Sequence, residues 1–225
     1  MAAEFQQSPN FEFTAETLEA VFQTLSESRL KTYLIIAGYD RIRALKLYMW
    51  NAQIGEAFHI PIQSLEVALR NRINAALTNQ FGNEWWKAPE FLAIADEERK
   101  IDLSQVLKRI QNRKIELCTD QVVAGLSFGF WVGMLHGRYN PPLWGAQLRT
   151  AFPNLPLSRS RKSLAQETGK IAFLRNRIWH HEPIIKRNLL DDYRVVMTTL
   201  EWICPTTAAW VRPHCRIPEL IRVKP

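Results

Sequence analysis

Six polar side chains, Arg175, Asn176, Arg177, His180, His181 and Glu182, crowd into the stretch KIAFLRNRIWHHEPI, Lys170 to Ile184. Their types suit work on a phosphate ester. A guanidinium holds phosphate oxygens by paired, charge-assisted hydrogen bonds, and an imidazole exchanges protons near neutral pH. Ile171, Leu174 and Ile178 fall at i, i+3 and i+7, the buried face of a helix. Pro183 restricts Glu182, so the helix is expected to end or kink just after the two histidines. Asn176 and His180 share one stripe at i, i+4, and Arg177 and His181 share its neighbour. Arg175 and His180 are five apart, roughly 140° round the axis, so one regular helix does not aim both at one point. Either the helix end unwinds before Pro183, or two copies pack together and each lends its Arg and His to a shared cleft. If the segment is catalytic, a homodimer with a composite site is expected. A structural alternative stays open, since Arg and His also stabilise the negative end of a helix dipole.

The elements that must position this segment read as helical almost throughout. Thr14 suits an N-cap, followed by Leu18, Val21, Phe22 and Leu25 on one face. Leu30, Tyr33, Leu34 and Ala37 repeat that spacing and stop at Gly38, a C′ residue. Asp40 caps a third helix bearing Ile42, Leu45, Tyr48, Met49 and Ala52. Pro61 opens a fourth, which buries Ile62, Leu65, Leu69 and Ala76 and ends near Gly82. Further helices are expected over about 96–115, 120–136, 142–151, 160–181 and 188–203, with a short one near 206–212. In the 120–136 helix Gly125, Gly129 and Gly133 form one smooth stripe for close helix packing. Phe128, Phe130, Trp131, Trp85 and Trp86 read as core or dimer interface. The fold class is all-α: a short N-terminal tail, 1–13, then one helical domain, 14–225.

Composition narrows the function classes. With 225 residues, 47% hydrophobic and 23% charged, the chain is globular rather than fibrous or disordered. No apolar run approaches the ~18 residues of a membrane span, and MAAEFQQSPNFEF lacks the charged and apolar regions of a secretory signal. Cys118, Cys204 and Cys215 are scattered, as in reduced, cytoplasmic proteins. Residues 1–100 hold 10 Lys and Arg against 13 Asp and Glu, whereas residues 101–225 hold 19 against 9. A basic C-terminal half favours a polyanionic partner such as nucleic acid. His59, His136 and His214 are isolated, and no Walker A, GxGxxG or HExxH motif occurs, so neither a metal nor a cofactor is expected.

The run RNRIWHH also carries a resemblance. It is similar to the Arg-Asn-x-x-x-His signature of HEPN domains, and three further stretches accompany it in order: LYMWN (Leu47–Asn51), LEVALRN (Leu65–Asn71) and LSFGFWVGML (Leu126–Leu135). Together these resemble the Abi-like proteins, the AbiD/AbiF group of bacterial phage abortive-infection proteins in the HEPN superfamily. The likeness runs from about residue 28 to residue 212. It implies a HEPN-type helical bundle with additional N-terminal helices, and a metal-independent endoribonuclease toxin. Carried over, Arg175 and His180 are the catalytic pair and Asn176 the polar residue after the Arg. His181 also satisfies the looser spacing and stays open as the alternative base.

RNA suits such a site because the 2′-OH beside the scissile phosphate is itself a nucleophile. The expected products are a 2′,3′-cyclic phosphate and a 5′-OH. Arg177, with Arg159, Arg161 and Lys162 of the cluster Ser158–Ser163, is a candidate RNA contact, the cluster standing at a helix N-terminus. Glu66, Arg70 and Asn71 are candidate cleft supports, Glu66 and Arg70 being spaced for an intrahelical ion pair. Such an activity needs restraint, by an antitoxin, a non-coding RNA or regulated dimerisation. A catalytically inactive RNA-binding regulator and a dimeric scaffold are the alternatives.

Overall fold

The computed structural model describes residues 12–225, so most of the expected tail, residues 1–11, lies outside the described residues. Among the described residues there are twelve α-helices and no strand. In order they are α1 Ala15–Leu25, α2 Glu27–Ile36, α3 Arg41–Phe81, α4 Pro89–Ile94, α5 Glu97–Asn112 and α6 Thr119–Gly125. There follow α7 Phe128–Gly133, α8 Trp144–Ala151, α9 Arg161–Trp179, α10 Leu189–Ile203, α11 Pro205–Val211 and α12 Ile217–Arg222. The protein is all-α. None of these helices is long and apolar enough to cross a membrane.

The caps explain most boundaries. Thr14 and Thr17 form a reciprocal capping box at α1, and the Asp40 carboxylate accepts the Arg43 N–H at 3.0 Å to open α3. Gly38, at φ 64°, closes α2: its N–H reaches Ile35 O and the Tyr39 N–H reaches Leu34 O. That is a Schellman turn with glycine where the left-handed conformation requires it.

Two expectations fail. Pro61 does not open a helix; it lies inside α3, which runs unbroken for 41 residues. A proline inside a helix costs about 3 kcal/mol, but here Ile54, Phe58, Pro61, Ile62 and Leu65 are buried without interruption through it. Burial of that stripe holds the helix together across the missing N–H. The single helix expected over 120–136 is two, because the Ser127 hydroxyl caps a new start by accepting the Phe130 N–H at 3.2 Å. The glycines therefore form no single stripe. Gly125 and Gly133 still mark close approaches: an added Cβ would stand 2.7 Å from Val106 at the first and would run into the Arg99 guanidinium at the second. Two short helices were not expected, α4 and α12, both with proline in the first turn.

α3 is the axis of the molecule, packed by α2, α7, α8, α9, α10, α11 and α12. Trp50 ties α12 to it through an indole N–H to Leu220 O at 2.7 Å. Trp85, Phe91, Phe130 and Trp131 pack edge-on or tilted with centroids 5.0–6.1 Å apart. All four are buried in the monomer, as is Trp86, so these aromatics are core. α9 buries Leu164, Thr168, Ile171 and Leu174 against α10, α7 and α3. That packing fixes which way its last turn faces.

Candidate functional site

α9 ends earlier than Pro183 alone suggests. Trp179 is its last residue, His180 is the C-cap, and His181 takes a left-handed conformation at φ 56°. The His181 N–H donates to Ile178 O at 3.0 Å and the Glu182 N–H to Arg177 O at 2.7 Å. This is a Schellman turn with histidine in the position that glycine usually holds. The turn is anchored from outside: Arg29 of α2 donates to the His181 carbonyl, and the buried Ile184 N–H donates to Asn51 Oδ1 of α3 at 2.8 Å.

Arg175 faces α3. Its Nε lies 3.6 Å from Glu66 Oε2, with both side chains about three-quarters out of solvent. That distance is too long for a hydrogen bond, and the buried Nε has no hydrogen-bond partner. The guanidinium carbon sits 4.8 Å from the Trp179 ring centroid, a cation–π contact, and Nη1 makes a long 3.5 Å bond to Asn176 Oδ1. Asn176 and His180 are exposed. Among the described residues no hydrogen bond or ring contact engages the His180 imidazole, and none joins it to Arg175. Within one chain, guanidinium and imidazole are thus on adjoining surfaces rather than in contact, in line with their angular separation on the helix.

The remaining candidates divide. Glu66 does not pair with Arg70; it pairs across helices with Arg175, while Arg70 Nε donates to Asn71 Oδ1 at 3.4 Å. An exposed i, i+4 pair returns only about 0.3–0.5 kcal/mol, too little to draw a half-buried carboxylate away from the guanidinium of α9. Arg177 is engaged locally, with Nη1 3.0 Å from Glu182 and Nη2 donating to Pro183 O at 2.7 Å. It staples the loop to the helix end. Arg161 donates to Leu135 O, and Arg159 lies over Trp202 at 5.8 Å. Lys162 is exposed. Ser160 and Ser163 form a capping box at this end of α9. Lys162 is thirteen residues from Arg175, about 20 Å along the helix, so the basic cluster and the Arg–His end do not converge.

A cleft of about 410 Å³ opens beside the Schellman turn, between α2, α3 and the end of α9. His181 lines it; Arg175 and His180 do not. His59 of α3 stacks on Trp179 at its edge, with centroids 5.3 Å apart and planes 23° from parallel. Tyr33 and Tyr48 meet edge-on at 5.3 Å within it. Burial pushes the Tyr33 phenol up to about 12. Sequence reasoning set His59 aside as isolated. The signal was present: His59 and Glu66 are one heptad apart, about 20° round a continuous helix, and a boundary drawn at Pro61 hides it. Among the described residues no group of three His, Cys, Asp or Glu converges as a metal site would require.

No family model, curated protein or solved structure matches the chain.

Proposed function

We propose that the protein is a metal-independent endoribonuclease whose working groups are Arg175, Asn176 and His180. The observation that carries this reading is the presence of a guanidinium and an imidazole at one helix end. These are the Arg175 guanidinium, held beside Glu66 and Trp179 with its Nε unspent, and the exposed His180 imidazole, which has no partner among the described residues. In this mechanism Arg175 binds the scissile phosphate and offsets charge growing on its oxygens. His180 takes the proton of the 2′-OH or delivers one to the leaving 5′-oxygen. The chain breaks to a 2′,3′-cyclic phosphate and a 5′-OH. Because Arg175 and His180 do not meet within one chain, a homodimer supplies each phosphate with Arg175 from one copy and His180 from the other. The likeness to Abi-like proteins extends the reading to bacterial phage defence in the cytoplasm, with an antitoxin or regulatory RNA as restraint.

The test is cleavage of total bacterial RNA in excess EDTA, with end mapping. Cyclic-phosphate ends are expected from the wild type and from His181→Ala, and are expected to vanish in Arg175→Ala and His180→Ala. Cutting of an all-deoxy substrate at a comparable rate would overturn the mechanism. The Glu66–Arg175 pair favours one second reading, an RNA-binding regulator without turnover, since the carboxylate competes with phosphate for the guanidinium. On that reading Arg175→Ala weakens RNA binding, His180→Ala barely does, and no RNA is cut.

A further inference from the structure

The cleft beside α9 has a chemistry of its own. Tyr33 lines it with a hydroxyl that makes no hydrogen bond among the described residues and is not sealed from solvent, so it can donate into the cleft. Asn51, 9% exposed, spends its Oδ1 on the Ile184 N–H, which leaves its amide N–H groups to donate. Flat aromatic surface is present in Tyr48 and in the His59–Trp179 stack. Three charged side chains also line the cleft: Glu56, Glu182, which is paired with Arg177, and Arg29, which donates to the His181 carbonyl. Aromatic walls with unspent donors suit a planar heterocycle, and these mixed charges do not gather the net positive charge that would hold a phosphate there. The size falls within the roughly 300–1,000 Å³ usual for small-molecule pockets.

We propose that this cleft binds one unpaired nucleobase of an RNA strand, whose neighbouring phosphate then rests on Arg175. The proposal rests on the ribonuclease reading and adds the source of its base preference. Trp179 joins the two places, since it stacks with His59 at the cleft and carries the Arg175 guanidinium at 4.8 Å. Single-stranded RNA is read in this manner, by stacking splayed bases on aromatic rings and bonding their edges. Glu56 is exposed on the cleft and free to accept from an exocyclic amino group. Adenine, cytosine and guanine carry such a group and uracil does not, so uracil is disfavoured.

The test is binding of 2′-O-methyl oligonucleotides to the full chain, followed by fluorescence anisotropy in EDTA. These probes lack a free 2′-OH, which separates binding from turnover. They are an all-uridine tract and the same tract with one central adenosine, cytidine or guanosine. At least one substituted tract is expected to bind about tenfold more tightly than all-uridine, the scale of one hydrogen bond to a carboxylate. Ala52→Trp fills the cleft from an exposed position and is expected to erase that difference. Tyr33→Phe narrows it without changing ring packing. Equal binding of all four tracts by the wild type overturns the proposal, as does a difference that survives both Ala52→Trp and Tyr33→Phe. Base-selective binding without cleavage keeps the cleft assignment and defeats the nuclease reading; cleavage without base-selective binding does the reverse.

Discussion

His181 holds a conformation that L residues avoid, and the cost can be measured. At φ 56° its Cβ crowds the following carbonyl, a penalty of about 1–2 kcal/mol. Glycine removes the penalty but gains freedom in the unfolded chain, which returns roughly 0.5–1 kcal/mol. The two hydrogen bonds of the Schellman turn and the Arg29 contact all use backbone atoms of this segment, so they persist in His181→Gly. The variant is expected to be more stable than wild type by about 0.5–1 kcal/mol. For a chain of this size that raises Tm by about 1–4 °C. His181→Ala keeps the strained backbone and loses the ring, so it serves as the control. Thermal unfolding followed by circular dichroism, with urea titration as a second measure, ranks the three proteins. If His181→Gly melts at or below His181→Ala, the strain argument fails; the contribution of the imidazole is read separately, from His181→Ala against wild type. The same variant bears on chemistry: with His180 as the base, His181→Gly continues to cut RNA.

Two further outcomes follow from packing and burial. Gly125→Ala drives a Cβ to 2.7 Å from the branched Val106, whereas Gly129→Ala meets nothing nearer than the Ser127 hydroxyl at 3.6 Å. The first should lose about 1–3 kcal/mol and the second should be neutral or slightly stabilising, as urea unfolding would register. Tyr33, Tyr139 and Tyr193 are each pushed up to about 12, burial being the largest cause. Unfolded tyrosine titrates near 10, so above about pH 10 the unfolded chain releases protons that the folded chain keeps. Stability is therefore intact below about pH 10 and falls as pH rises toward about 12. Ultraviolet titration should show three phenols ionising together with unfolding; three that ionise near 10 in the folded protein would contradict the burial argument.

The fold was readable where local chemistry decides it. Thr14, Asp40 and Gly38 each announce a helix boundary through a side chain or a left-handed turn, and the structure uses all three as expected. Reading fails where distant packing overrides a local rule, as at Pro61. There the evidence lay in the apolar spacing, which runs through the proline from Phe58 to Ile62 and Leu65. At the candidate site the residue types were visible but their partners were not. Glu66 suggested Arg70, its neighbour along one helix, because sequence displays neighbours on a helix and hides those across one. Arg177 was read as an RNA contact from its charge, and only the fold of the loop after Trp179 commits it to Glu182 and Pro183. The cleft was hidden for the same reason, since its walls come from residues more than a hundred positions apart.

α3 carries both halves of the arrangement at the end of α9: Asn51 and His59 on one side of Pro61, and Glu66 on the other. A helix of this length is a beam about 60 Å long, and a beam is most compliant where a rung is missing. Pro61 is that place, being unable to donate to the preceding turn. The spacing between the aromatic stack and the carboxylate is therefore set along α3 across seven residues that include Pro61, and across to α9 by Arg175, which touches Trp179 and Glu66 together.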